Sequence, residues 1–454
     1  MSDLGGKLMN IVRTAGIVLL FLHAQISMEA QISIVNVPCV VPLSSHRIAR
    51  GIGRSPYPWY VLPRYMFNYV TNGRFSCGNH EKNNDTLLLP QGSFTVSPLV
   101  GRAGAGAKIV FLGDFMVSSS GQPPELAPNI ASLIKSANII VVNIESPVTD
   151  GPVKPGRCGT SLKFEMHIDY VRSLYEANPQ ATWVLSVANN HAFDTSDATP
   201  HDITGLQKTI DVLHTYLPNV QVIGAGVHPA KSVLALQVAD GPRIGIIAWT
   251  QVMNCHARHK DKPLVYGEDI TPELIQSIKK EGGFDFLIGF PHGGEEQRCQ
   301  PLLADTIKWK SLTGPLLFDV VVATGPHVIQ PAHTHNGRPI LYSIGNIFSP
   351  RGMSQTKVGC IPEIQLRVST ESSSQCSYKV HFLQQKEQKI SLFELTDTGV
   401  WYPDIVARLR KTWPTLFTDP RVKVSSPVLK AGLTAVALGL TAYISYRVLQ
   451  TYKK

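Results

Sequence analysis

The chain has 454 residues, of which 43% are hydrophobic and 17% charged, with a formal net charge of +9. That apolar share supports a sizeable core and excludes wholesale disorder, and the composition fits neither a collagen nor a polytopic membrane protein. The positive excess is scattered, with short basic stretches near Arg47–Arg54 and at the C-terminal end. No basic stripe with interleaved aromatics appears, so nucleic acid is not an expected partner.

At the N-terminal end, Lys7 and Arg13 precede the apolar stretch Ala15–Leu22. A basic region before a short apolar run suits a signal peptide, yet no clean small-x-small cleavage site follows. A signal, an anchor and a strand all remain open for residues 1–30. Residues 31–107 are rich in Pro, Gly, Arg and aromatics without a helical period, and read as an irregular extension of partly strand character. The seven cysteines are scattered without a CxxC pair, which argues against a disulfide framework or a zinc ribbon. Cys255-His256-Ala-Arg-His259 is a weak local metal motif. The sequon Asn84-Asp85-Thr86 matters only in a secretory lumen.

From Lys108 the pattern becomes regular. Five short runs rich in β-branched and aromatic residues read as buried strands: 108–112, 139–142, 183–187, 284–288 and 319–322. Helical stretches are expected at 127–136, 169–177, 203–217, 272–280 and 302–311, several with Ser, Thr or Asp near the start. Alternation of this kind predicts an α/β domain. Two more runs, 233–238 and 243–249, flank Asp240-Gly241 and predict a hairpin, so the sheets should be mixed.

The chemistry collects where the apolar runs stop. Asp114, Glu145, Asn190 with His191, His292 with Glu295, and His327 each follow one of the five strands. In α/β sheets the carboxyl ends of strands face the ligand crevice, so these residues can converge on one pocket. Carboxylates and imidazoles gathered in a buried pocket need a cation to neutralise them. Mixed Asp, Glu, Asn and His ligation suits Mn, Fe or Zn. Gly104-Ala-Gly106 and Gly224-Ala-Gly226 do not complete a dinucleotide loop. No serine sits in a nucleophile elbow.

These residues carry a resemblance. Gly113-Asp114, Asn143-Ile-Glu145-Ser-Pro147, Ala188-Asn189-Asn190-His191 with Asp194, Gly224-Ala-Gly226, His292-Gly-Gly-Glu295 followed by Pro301, Gly325-Pro-His327-Val-Ile-Gln330 and Tyr342-Ser343-Ile-Gly-Asn346-Ile-Phe348 resemble, in order, the motifs of the CapA family of capsule and poly-γ-glutamate synthesis proteins. The resemblance covers about 108–348. It implies a calcineurin-like metallophosphoesterase fold, a mixed-sheet β-sandwich flanked by helices, over 108–390. It further implies one or two divalent ions. Asp114 and His327 would hold the first, Asn190 and His292 the second, and Glu145 would bridge them. His191 would be the general acid. Asn143, Asn189, Asp194, Glu295, Ser343 and Asn346 would support the site. The activity implied is that of a metal-dependent hydrolase, or alternatively a non-catalytic subunit of a polymer synthesis or export complex. Three positions depart from the pattern: Met116 stands two residues after Asp114 where metallophosphoesterases carry His, Thr324 replaces a ligand His, and Gly293 replaces a Trp.

After a connecting segment at 391–427, residues 428–447 form the last apolar stretch. Sixteen uncharged residues lie between Lys430 and Arg447. A membrane span takes about twenty residues, with a floor near seventeen. Lys430 and Arg447 can snorkel, and Tyr443 and Tyr446 suit the interface. The expectation is a single-pass C-terminal transmembrane helix, with Ala431, Ala435 and Gly439 forming a small-residue stripe for a homodimer in lipid.

Overall fold

The computed structural model describes residues 86–87, 91–96 and 104–412, apart from 119–120, 154–163, 196–202, 227–228, 239–240, 255–263, 351, 369–373, 395–396 and 398. The stretches expected to be a signal and a membrane helix, the Cys255–His259 motif and the sequon asparagine lie outside these residues. Among the described residues no helix is long and apolar enough to cross a membrane.

Strands β1 (Thr86–Leu87), β2 (Gln91–Val96) and β3 (Gly104–Phe115) lead into β4 (Glu125–Leu126), α1 (Pro128–Lys135) and β5 (Ile139–Ile144). Next come β6 (Val148–Thr149), β7 (Met166–His167), α2 (Ile168–Tyr175), β8 (Thr182–Ser186), α3 (Thr204–Tyr216) and β9 (Val220–Ile223). The second half holds β10 (Leu234–Gln237), β11 (Arg243–Thr250), α4 (Pro272–Gly282), β12 (Phe286–His292), α5 (Leu303–Ser311) and β13 (Val320–Val322). It ends with β14 (Ala332–His335), β15 (Arg338–Leu341), β16 (Asn346–Phe348), β17 (Val358–Val368), β18 (Ser374–Lys386), β19 (Lys389–Phe393) and α6 (Pro403–Thr412).

Two large sheets result. One has the order β1-β14-β15-β13-β12-β11-β10, and the other β4-β19-β18-β17-β3-β5-β8-β9, with β16 on β3 and β2 on β18. Both are mixed, as the Asp-Gly hairpin predicted: β10 and β11 pair antiparallel, while β11, β12 and β13 are parallel. β3, β5, β8 and β9 are parallel as well.

The layering follows from residue alternation. Ile109, Phe111, Ile139, Val141 and Val184 on one sheet share a core with Ile244, Ile246, Phe286, Ile288 and Phe290 on the other. Their neighbours Val110, Leu112, Ile140, Val142, Trp183 and Leu185 point the opposite way, onto Ile130 and Ile134 of α1, Leu174 of α2 and Leu213 of α3. Ile247, Trp249, Leu287 and Val321 do the same toward Ile275 of α4 and Trp309 of α5. Central strands buried on both faces read as continuous apolar runs because neither face sees water. The result is a β-sandwich covered by helices on both outer faces.

Helix ends follow ordinary rules. In α4, Thr271 accepts from Leu274 N at 3.3 Å, Pro272 opens the first turn, and Gly283 closes the helix with φ +58°. Several strand boundaries differ from the sequence expectation, as in β3, which spans Gly104–Phe115 rather than 108–112. The run at 284–288 begins instead at Phe286 and continues through Pro291 to His292. Just before it, Asp285 N donates to Arg243 O at 2.9 Å while its Oδ2 accepts from Arg243 N at 2.8 Å, so the side chain stands in for the ladder acceptor. Pro291 costs one ladder donor, yet its carbonyl still accepts from Thr324 N at 2.9 Å. His292 is therefore a strand residue with a fixed backbone.

Candidate metal centre

Asp114 lies one residue before the end of β3, just past a bulge where the pairing with β5 shifts between Leu112 and Asp114. The bulge needs Gly113, since a Cβ there would collide with Gly345 O. The Tyr-Ser-Ile-Gly-Asn turn thus packs directly on the strand end, and Asp114 N donates to Gly345 O at 3.1 Å. Asp114 faces Asn143 on β5 and Asn346 on β16 in the sheet register.

The fully buried carboxylates of Asp114 and Glu145 stand among imidazoles. His292 Nδ1 lies 3.5 Å and His327 Nδ1 3.3 Å from Asp114 oxygens. Glu145 Oε1 lies 3.7 Å from His292 Nε2, 3.5 Å from His327 Nε2 and 4.0 Å from His191 Nε2. Asp114, Glu145 and His292 offer ligand atoms that all lie within 4.8 Å of one another. Burial raises the Asp114 carboxyl, but hydrogen bonds and charge from His292 and His327 outweigh it and hold the group well below the usual carboxylate range.

Amide side chains orient this cluster. His191 N donates to Asn189 Oδ1 at 3.0 Å, so Asn189 Nδ2 must face Ile144 O at 2.7 Å and Asn143 Oδ1 at 3.2 Å. Asn143 Nδ2 is thereby aimed at Asp114 Oδ1, 2.7 Å away, and His292 Nδ1, 3.0 Å away. Gly325 N donates to Asp114 Oδ2 at 3.0 Å. Gly325 has φ +115°, and a Cβ there would lie 2.5 Å from Gly293 O. Two loops therefore meet backbone to backbone beside the site, which explains the glycine at 325, whereas a Cβ at Gly293 would meet the Gln251 side chain.

His191 Nδ1 lies 2.6 Å from Asp194 Oδ2, which also accepts from Phe164 N at 2.7 Å. The Phe164 ring packs on His191 with centroids 4.4 Å apart. Asn190 Oδ1 lies 2.9 Å from His292 Nε2. Thr324 Oγ1 occupies the space beside His292 Nδ1, at 3.1 Å. Ser343 acts on the backbone, with its hydroxyl accepting from Gly345 N at 3.3 Å. Glu295 pairs with Arg298 at 3.4 Å on the loop after β12.

The structure thus brings Asp114, Asn143, Glu145, Asn189, Asn190, His191, Asp194, His292, His327 and Asn346 into one network. Sequence reasoning missed Asn254, which contacts Asn190 and His191. It follows the apolar run of β11 just as the other polar residues follow theirs, and the same strand-end rule would have found it.

The donor set suits a divalent cation. Metal–donor bonds of about 2.0–2.1 Å put neighbouring donors of a tetrahedral shell about 3.4 Å apart. The spacings from Glu145 Oε1 to Nε2 of His327 and His292, 3.5 and 3.7 Å, match that closely.

The sequence comparison now decides the family. The family described as bacterial capsule synthesis protein PGA_cap matches residues 108–351, more than half of the chain. The chain belongs to this family. It is 24% identical over 269 residues to the PGA biosynthesis protein CapA of Bacillus subtilis (strain 168), covering 57% of this chain and 67% of that one. It is 23% identical over 248 residues to the capsule biosynthesis protein CapA of Bacillus anthracis, covering 53% of this chain and 57% of that one. Among solved structures, TT1561 of Thermus thermophilus aligns over 64% of this chain and 99% of its own, with 8% identity and a TM-score of 0.31. Vacuolar protein sorting 29 from Cryptosporidium parvum aligns over 63% and 96%, with 10% identity and a TM-score of 0.26. Scores this low carry no argument about the chemistry.

Proposed function

We propose that this chain is a metal-dependent hydrolase of the phosphoesterase type, working in capsule or poly-γ-glutamate polymer synthesis and held at a membrane by residues 428–447. The observation that carries the reading is the pair of buried carboxylates, Asp114 and Glu145, with three imidazoles within 4.0 Å of them. Asp114, Glu145, Asn190, His292 and His327 would hold the ion or ions, which when bound lower the pKa of a water and neutralise phosphoryl oxygens.

His191 supplies the proton chemistry. Its Nδ1 is committed to Asp194, so Nε2 is the nitrogen that delivers a proton to a leaving oxygen. The Asp194 carboxylate steadies the imidazolium, and Phe164 limits the ring's rotation. Burial of the whole cluster removes competing water and strengthens each polar contact.

A second reading, an accessory subunit with a reduced metal site, is favoured by Thr324, whose hydroxyl offers His292 a hydrogen bond where an imidazole would offer a ligand. One experiment separates the two. The full chain is purified in detergent, its Mn, Fe and Zn are counted, and phosphomonoesters and phosphodiesters are offered to it, to Asp114→Asn and to His191→Ala. Bound metal with turnover that both variants lose supports the hydrolase. Bound metal without turnover supports the accessory subunit, and an absence of both sinks the metal centre. Removal of 428–454 should release the protein from membranes; continued sedimentation with them would place the anchor elsewhere.

A further inference from the structure

We infer that Asn254, on the loop after β11, is a positioning residue of this centre: it turns the carbonyl oxygen of Asn190 inward and covers the ring of His191. The inference rests on the metal-centre reading for its consequences, and on geometry alone for its structural part.

The loop is built to place this side chain. The Thr250 hydroxyl donates to Val252 O at 2.7 Å and accepts from Val252 N at 3.2 Å, which folds the chain back just past the strand. Asn254 N then donates to Asn190 O at 3.1 Å, joining the loop to the Asn-Asn-His turn. The side chains repeat the link, with Asn190 Nδ2 donating to Asn254 Oδ1 at 3.0 Å. An amide has one oxygen and one nitrogen. Once Nδ2 of Asn190 is held by Asn254, its Oδ1 must face the centre, where it lies 2.9 Å from His292 Nε2. Asn254 therefore decides which end of Asn190 a cation meets.

The other end of Asn254 meets His191. Its Nδ2 is 3.1 Å from both ring nitrogens. Equal distances to both place the amide over the ring face, since one donor cannot lie along two in-plane lone pairs that diverge. Nδ1 stays with Asp194, and Nε2 is left open toward the centre. A partner that orients a ligand in this way changes metal affinity by about 10- to 100-fold when removed.

The test uses the full chain in detergent, with Zn2+ alone as the probe and histidine labelled with 15N in the ring. Zn2+ affinity is measured for wild type, Asn254→Ala and Asn254→Asp, and the His191 ring signals, assigned with His191→Ala, are recorded without metal. Asn254→Ala should weaken Zn2+ at least tenfold and shift the His191 signals. Asn254→Asp keeps the acceptor for Asn190 and should recover most of the affinity. Wild-type affinity together with unmoved His191 signals in Asn254→Ala would overturn the inference. If wild type binds no Zn2+, the metal-centre reading fails, and the His191 signals decide the positioning role by themselves.

Discussion

Asn346 Oδ1 stands 2.9 Å from His327 Nδ1, and the nitrogen of the same amide donates to Thr356 O at 2.9 Å. The backbone contact fixes which way the amide points, so the imidazole Nδ1–H donates to the oxygen and Nε2 faces Glu145 Oε1 at 3.5 Å. His327 holds a left-handed backbone, φ +60°, which is unfavourable for a residue with a Cβ. The bond from Gln297 N to Pro326 O, 2.7 Å, pins the turn from the opposite loop. The left-handed backbone and the locked ring together hold the His327 imidazole in one place between Asp114 and Glu145.

Replacing Asn346 with Leu should free that ring. Metal affinity should fall about 10- to 100-fold, the range for loss of an orienting partner. Thermal melting without metal should change far less than it does with metal. Titration of the apo protein with Zn2+ or Mn2+ by calorimetry measures the loss, and unchanged affinity would show that Asn346 serves only the backbone at Thr356.

Asp194→Asn tests the proton relay. The substitution preserves size and keeps an oxygen for Phe164 N, but removes the charge behind His191. Turnover should drop about a hundredfold, within the usual share of general acid–base catalysis, while the metal content stays at the wild-type level. His191→Ala combined with Asp194→Asn should be no slower than His191→Ala alone, since the two residues act as one unit. Additive losses would assign Asp194 a separate task.

Much of this is legible in the residues alone. The strand and helix spans are, because buried parallel strands leave unbroken apolar runs and amphipathic helices leave a 3.6 period. The site is legible too, since Asp114, Glu145, Asn190 and His292 interrupt or end those runs. Asn254 escapes notice because the Asp-Gly turn marks β11 as half of a hairpin, which hides that its far end obeys the same strand-end rule as the others. A strand running through Pro291 is not expected, since proline normally marks an edge and only the parallel neighbours keep it central. The pairing of β2 with β18, which sets Val96 opposite Ser374, leaves no local signal at all.

Asp305, in the first turn of α5, carries a pH dependence. Burial raises its carboxyl to about 7; Lys308 pulls it down, and Glu295 adds to the rise. The folded state then keeps a proton that the unfolded chain releases near its ordinary value. The stabilisation is fully present below about pH 4 and is lost as pH rises toward 7. Asp305→Asn should match wild type near pH 4 and be more stable at pH 8, by up to about 4 kcal/mol. Urea unfolding at the two pH values checks this, and parallel curves for both proteins would show that Asp305 ionises normally in the fold.

The ion pair of Lys279 with Asp319 concerns stability at the opposite end of the strands. Both side chains are buried, with Nζ 2.7 Å from Asp319 Oδ2 and further bonds to Pro315 O at 3.1 Å and Leu317 O at 3.2 Å. Burial lowers the lysine and raises the aspartate, and each partner's charge opposes that shift in the other. Removing one member of such a pair leaves the other charge uncompensated, at a cost of about 3–5 kcal/mol. Arg338 Nε remains 3.5 Å from Asp319 Oδ1, so Lys279→Met belongs at the lower end of that range. Asp319 precedes β13 whereas Thr324 follows it, so the metal centre is untouched. Lys279→Met should therefore lower the unfolding midpoint in urea while metal content and turnover below that midpoint match wild type. A parallel loss of metal would mean that the two ends of β13 are coupled.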